Sequence, residues 1–162
     1  KRKKKYINKP LADCYNLEWN DDFEGFYPIL LENKKKHNIT PTHTLKELKL
    51  LFKRFPNKIK LLMLYKNETP IAGTLNFIAN NNVVIIFYNM LYYGYANQQP
   101  ATHLIGETIK WATTEKYKWL DFGVSQLPLN NNPLSPHKSL IQFKEQFGAT
   151  GFLRRAYRKK IK

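Results

Sequence analysis

The chain has 162 residues, 43% hydrophobic and 14% aromatic, enough to bury a core in one domain without staples. Its single cysteine, Cys14, excludes an internal disulfide and a cysteine-based metal cluster, and is compatible with a reducing cytoplasm. The net charge of +15 belongs to the ends: six of 27 Lys and Arg lie in residues 1–9 and six in 154–162, leaving a body with 15 basic and 12 acidic side chains.

Basic ends can attract phosphates, RNA or anionic lipid. No helix-turn-helix, zinc-finger or basic-zipper pattern offers base contacts to DNA. The longest apolar runs, such as VVIIFYNMLYYGY, are shorter than a membrane span and rich in strand formers, so a soluble protein is expected. Residues 1–13 read as a basic tail or linker and 14–162 as one domain. The first residue is Lys1 rather than Met, which reads as a fragment or a processed chain.

In chain order, LADCYNLEW is a short candidate strand. From Asp21 the apolar residues Phe23, Phe26, Tyr27, Leu30 and Leu31 fall on one helical face, with Asp21 and Glu24 as a capping box. A second capping box, Thr44 and Glu47, starts a helix carrying Leu45, Leu48, Leu51, Phe52 and Phe55 on one face, ended by Pro56-Asn57. The period then changes to that of strands at residues 59–67, 70–80 and 83–92, separated by KNET and NNN turns, which makes an antiparallel meander. Gly73 inside the middle strand hints at a bulge or a close approach of another backbone. Pro100 starts a helix with Leu104, Ile105, Ile109 and Ala112 inward. Residues 118–126, KWLDFGVSQ, read as a buried central strand on the evidence of Trp119, Leu120, Phe122 and Val124, parallel to 83–92. A polar loop leads to a short helix from Ser139, with Leu140, Phe143 and Phe147 inward and Gly148 as its cap; TGFLRRAYR is the last strand. The expected architecture is α/β: a mixed, mostly antiparallel sheet with helices on both faces and a ligand opening where the sheet splays.

Asp121-Phe122-Gly123 is the tripeptide that holds magnesium in protein kinases. Its required company is missing. There is no G-x-G-x-x-G, and Arg2 and Arg54, the arginines that precede Asp121, are not flanked by His and Asp. Four histidines without acidic or cysteine companions at ligand spacing give no metal site.

The element order, with HNITPTHTLKELKLLFKRFPNKIKLLMLYKNETPIAGTL, WLDFGVSQ and SLIQFKEQFGATGFLRR, resembles the GNAT acyltransferase superfamily. It is most similar to the FemAB-like branch and to GNAT-type proteins of bacterial surface-polysaccharide loci, over roughly residues 15–158. This resemblance implies acyl transfer to an amine of a cell-envelope or polysaccharide precursor, in the cytoplasm or at the periphery of the inner membrane. The donor is acetyl-CoA or another acyl-CoA, without a metal. Alternatives are an aminoacyl-tRNA-dependent transferase that contacts tRNA through the basic ends, and a non-catalytic half that packs on an N-terminal GNAT half or binds an anionic precursor. One departure bears on the donor: the segment YYGYANQQPATHL holds Gly94 alone where the superfamily has a glycine-rich pyrophosphate loop, although the helix start still offers amides to an anion.

The candidate catalytic residues are Lys144, Asp121, His43 and Tyr88. Lys144, which a matching FemAB-like lysine favours, is held at the edge of an apolar helix face and can bind a phosphate or a developing oxyanion. Asp121 can accept the amine's proton, hold His43, or serve structural hydrogen bonds, since a carboxylate on an apolar strand needs a partner in any role. His43 is either a general base or part of the cap of the second helix. Tyr88 can protonate a leaving group. For the donor, Asn89, Tyr95, Thr102 and His103 are the candidates; for the acceptor, Gly123, Ser125 and Gln126 at the end of the strand. The Tyr92, Tyr93 and Tyr95 cluster lines the pocket or packs in the core.

Overall fold

Residues rich in β-branched and aromatic side chains between Tyr15 and Asp121 pair into a five-stranded sheet of order β1-β2-β3-β4-β5. The computed structural model describes residues 7, 11–127, 132, 135–153 and 159–161. The chain divides into two units, one within Lys5–Gly123 and one within Val124–Lys162. The first holds β1 (Tyr15–Asn20), α1 (Phe23–Lys36), α2 (Leu45–Arg54), β2 (Ile59–Lys66), β3 (Thr69–Asn80), β4 (Val83–Leu91), a 3-10 turn (Tyr93–Gln98), α3 (Pro100–Thr114) and β5 (Trp119–Asp121). The second holds α4 (Lys138–Glu145). Strands β1 to β4 are antiparallel, and β5 joins β4 in parallel, as the crossover through α3 requires.

The central strands are apolar on both faces because helices cover both. Leu61 and Met63 of β2 meet Phe23, Phe26, Ile29 and Leu30 of α1 and Leu48 of α2. Leu62 and Leu64 alternate to the opposite face and pack with Ile71, Ala72 and Leu104 of α3. Gly73 admits α1 to the sheet: a Cβ there would lie 2.6 Å from the Phe26 ring and 2.7 Å from Met63 Sδ, so side chains rather than backbone make the close approach.

The capping box of α2 forms as its sequence predicts, with Thr44 Oγ1 accepting from Glu47 N at 3.2 Å and Glu47 Oε2 accepting from Thr44 N at 2.7 Å. At α1 the cap is Asp22 instead of Asp21, accepting from Gly25 N at 2.8 Å. Glu24 turns away to pair with Lys49 of α2, whose ammonium draws its carboxyl below the usual range. Leu31 is 43% exposed and Phe55, the residue that caps the end of α2, 52% exposed; neither joins the face expected of it.

The strand expected at 118–126 is corrected more substantially. It spans three residues and lies at the edge of the sheet among the described residues, with Trp119 60% and Val124 58% exposed. Asp121 Oδ1 accepts from Gly123 N at 2.7 Å, and Gly123 takes φ +71°, so the side chain that was expected inside a strand closes the turn that ends it. Of the expected last strand, residues 150–153 are irregular and 154–158 lie outside the described residues.

Tyr65 joins the start of α1 to the sheet. Its hydroxyl donates to Asp22 Oδ2 at 2.9 Å and accepts from Asn20 Nδ2 at 2.8 Å. Burial, opposed by the Asn20 amide and reinforced by the Asp22 carboxylate, moves this phenol from its ordinary 10.0 up to about 12. Between those values the folded chain keeps a proton that the unfolded chain has lost, so stability falls as pH rises through that window. Tyr65→Phe is expected to cost about 1–2 kcal/mol at neutral pH, through the lost bond to a charged acceptor, and to flatten the decline above pH ~10. Urea denaturation at pH 7 and at alkaline pH measures both.

Candidate active site

Pairing between β4 and β5 covers three residue pairs, from Val83↔Trp119 to Ile85↔Asp121. Beyond Ile85, the far edge of β4 has no strand partner among the described residues, so the backbone groups of residues 86–91 on that edge are unpaired by any strand. Within that stretch the register with β3 slips: Leu75 lies opposite Tyr88 and Asn76 opposite Ile86, which leaves Phe87 as a bulge. The Phe87 ring stacks on Phe77 at 4.5 Å, packs edge-on to Tyr88 at 4.6 Å and lies 5.7 Å from the His43 ring.

Tyr88 is 4% exposed, and its hydroxyl accepts from Thr42 N at 3.0 Å. This bond fastens the Pro41-Thr42-His43 segment over β4, so two of the expected catalytic residues, His43 and Tyr88, meet on the α1/α2 face. The Tyr88 hydroxyl proton has no acceptor among the described residues, and His43 Nδ1 is buried without a partner. The next residue, Asn89, donates from Nδ2 to Ala101 O at 3.3 Å at the start of α3, while its Oδ1 is also buried without a partner.

The start of α3 is set by Gln99 at φ 58° and ψ 41°, followed by Pro100, whose missing N–H costs nothing in a first helical turn. Thr102 is 1% exposed and its hydroxyl donates to Gln99 Oε1 at 3.4 Å, so it supports the helix start from within. His103 follows it, half-buried in the same turn. Tyr95 packs against the α3-side core, with Lys66 Nζ 5.5 Å from its ring. Lys36 Nζ lies 3.4 Å from the Tyr93 ring on the same 3-10 turn. A turn gripped by two cations thus precedes the helix, where a glycine-rich loop is absent.

In the second unit, Lys144 Nζ donates to Val124 O at 2.9 Å and Ser125 Oγ at 2.7 Å. Those bonds tie α4 to the segment that leads into it. Gln126 bridges to Pro136, and Phe143 and Phe147 meet edge-on at 5.2 Å. His137 caps α4: its Nδ1 accepts from Leu140 N at 3.4 Å.

Two residues were not singled out by the sequence. Asn33, buried on α1, donates to Ile29 O at 2.8 Å and Leu91 O at 2.7 Å, clamping the helix end to the end of β4. Lys34 follows and rests with Nζ 5.1 Å from the Tyr88 ring; burial pushes its ammonium pKa down. The available signal was a polar residue at helical spacing behind Phe26, Ile29 and Leu30, inside a run that reads as a decaying helix end.

A mixed five-stranded sheet flanked by helices, with one parallel pair reached by a helical crossover, is an acyltransferase architecture. The chain belongs to the acetyltransferase (GNAT) domain family, whose sequence pattern matches residues 3–138, and is an N-acyltransferase by class. Its enzyme class and fold follow from this membership. No curated protein matches the chain. Among solved structures it is similar to an aminoglycoside acetyltransferase from an uncultured soil metagenomic sample in complex with sisomicin, at 11% identity and TM-score 0.65, covering 92% of this chain and 98% of that one. FemX gives TM-score 0.69 at 13% identity, over 91% of this chain and 53% of FemX. A GNAT family acetyltransferase from Elizabethkingia anophelis with acetyl-CoA bound gives 0.58 at 14% identity, over 84% and 76%. No described helix is long and apolar enough to cross a membrane, and no described group of His, Cys, Asp or Glu can hold a metal ion.

If the Tyr88 hydroxyl fastens the 41–43 segment, Tyr88→Phe should leave the fold intact and let the Thr42 amide exchange about fivefold faster, the equivalent of ~1 kcal/mol. Amide hydrogen exchange at that residue reads it directly.

Proposed function

We propose that this chain is a FemAB-like N-acyltransferase that takes an acyl group from acyl-CoA and transfers it to an amine of a cell-envelope or polysaccharide precursor. The observation that carries the donor assignment is Asn89: a buried, unpartnered Oδ1 on the open half of β4 suits an amide N–H donor, as the pantetheine arm of coenzyme A supplies. The residues that would hold it are Asn89, the backbone of β4 beyond Ile85, the first turn of α3 at Ala101–His103, and Lys66 beside Tyr95. When bound, the thioester supplies an activated carbonyl and a sulfur leaving group.

The chain's own residues then divide the proton work. His43 takes a proton from the attacking amine, using the ring whose Nδ1 has no structural hydrogen bond to give up. As the C–N bond forms and the C–S bond breaks, backbone N–H groups of β4 donate to the carbonyl oxygen, and the Tyr88 hydroxyl gives its proton to the departing sulfur. Thr42 N holds the Tyr88 oxygen in place while leaving that proton uncommitted. Asp121 acts through the turn it closes at Gly123.

The similarity to FemX supports a second reading, in which an aminoacyl-tRNA is the donor and the basic ends at residues 1–9 and 154–162 contact its phosphates. Such binding weakens steeply with salt.

Incubating the chain with acetyl-CoA and a panel of amines, and following thiol release, tests the first reading. Tyr88→Phe should lower kcat by ~10²-fold or more while the KM for acetyl-CoA stays within about threefold, as expected for a proton donor acting in the transition state. Unchanged kcat would remove Tyr88 from that role.

A further inference from the structure

The α1/α2 face of the site carries a cation whose burial the fold does not compensate. Lys34 is half-buried, and burial alone pushes its pKa down. The ion pairs among the described residues are Lys49–Glu24 and Lys110–Glu107, and neither involves Lys34. Its recorded partner is the face of the Tyr88 ring at 5.1 Å, which recovers part of the lost hydration but supplies no counter-charge. Beside it, the Asn33 amide bonds to Leu91 O, at the end of β4, and so fixes the last turn of α1 against that strand.

The surroundings add positive rather than negative charge. Lys35, Lys36 and His37 follow on the same helix end, with Lys36 resting on Tyr93. Nearby carboxylates are otherwise engaged: Asp22 by Gly25 N and the Tyr65 hydroxyl, Glu24 by Lys49 and Glu47 by the Thr44 cap, while burial and then Glu32 raise the Tyr92 phenol pKa.

We propose that Lys34 is a specificity-determining residue that selects acceptor amines carried on an anionic small molecule, such as an amino-sugar phosphate, by pairing with the acceptor's phosphate or carboxylate beside Tyr88. This rests on the reading of His43 and Tyr88 as the acceptor side of the site. It separates the chain from a transferase for polycationic amines, since those place ammonium groups where Lys34 already sits.

The test uses three amines with the full chain: glucosamine, glucosamine 6-phosphate and kanamycin. Binding is measured by calorimetry, and acetyl transfer from acetyl-CoA by thiol release. The wild type should bind glucosamine 6-phosphate at least tenfold more tightly than glucosamine, with kanamycin weakest. In Lys34→Met the preference should fall to within about twofold of unity, whereas Lys34→Arg, which keeps the charge but cannot act as a base, should retain most of it. Equal binding of the two sugars by the wild type, no binding of any of the three, or Lys34→Arg behaving like Lys34→Met would each overturn the proposal. Selective binding lost in Lys34→Met without acetyl transfer would uphold Lys34 as an anion reader and remove the acyl-CoA reading. Transfer to all three amines at similar efficiency would do the reverse.

Discussion

The arrest of β4–β5 pairing after three residues is the constraint on which the site depends. A parallel pair that ran the full length of β4 would satisfy its backbone along the whole edge and leave nothing for a ligand. Instead Asp121 captures Gly123 N, the chain turns through a positive φ, and the half of β4 from Ile86 to Leu91 has no strand partner on that edge among the described residues. The Phe87 bulge, Tyr88, Asn89, the His43 segment and the start of α3 lie on or against that half.

The two faces of the sheet have different tasks. On one, α1 and α2 are drawn in by Phe26 over Gly73 and by the Tyr65–Asp22 bond, which brings Thr42, His43 and Lys34 to Tyr88. On the other, α3 packs Leu104 against Leu62 and Leu64, which sets its first turn beside Asn89. The polar atoms without partners at His43 and Asn89 are thus reached from opposite faces of one strand.

The meander and the crossover were legible because strand period and helix period are hard to confuse over ten or more residues, and because Thr44, Glu47 and Pro100 carry local chemistry that fixes helix starts. The strand at Asp121 was misjudged for the opposite reason. Trp119, Leu120, Phe122 and Val124 look like a buried run, yet the Asp-x-Gly turn inside them is also a local signal, and it prevails. At the site, His43 and Tyr88 were readable as chemical types, but their meeting depends on a bond between residues 46 apart in sequence. Lys34 was invisible for the same reason: the helix end that carries it is held by Asn33 reaching Leu91 across 58 residues, and nothing in NKKKHNI distinguishes one lysine from the next.

The most direct test of the central claim, that the open half of β4 and the start of α3 receive an acyl-CoA, is a calorimetric titration of the chain with acetyl-CoA at low and moderate salt. The account predicts saturable binding to one site that survives moderate salt and weakens at least tenfold in Asn89→Leu. Absence of binding, or binding that vanishes with salt and ignores Asn89, would contradict it.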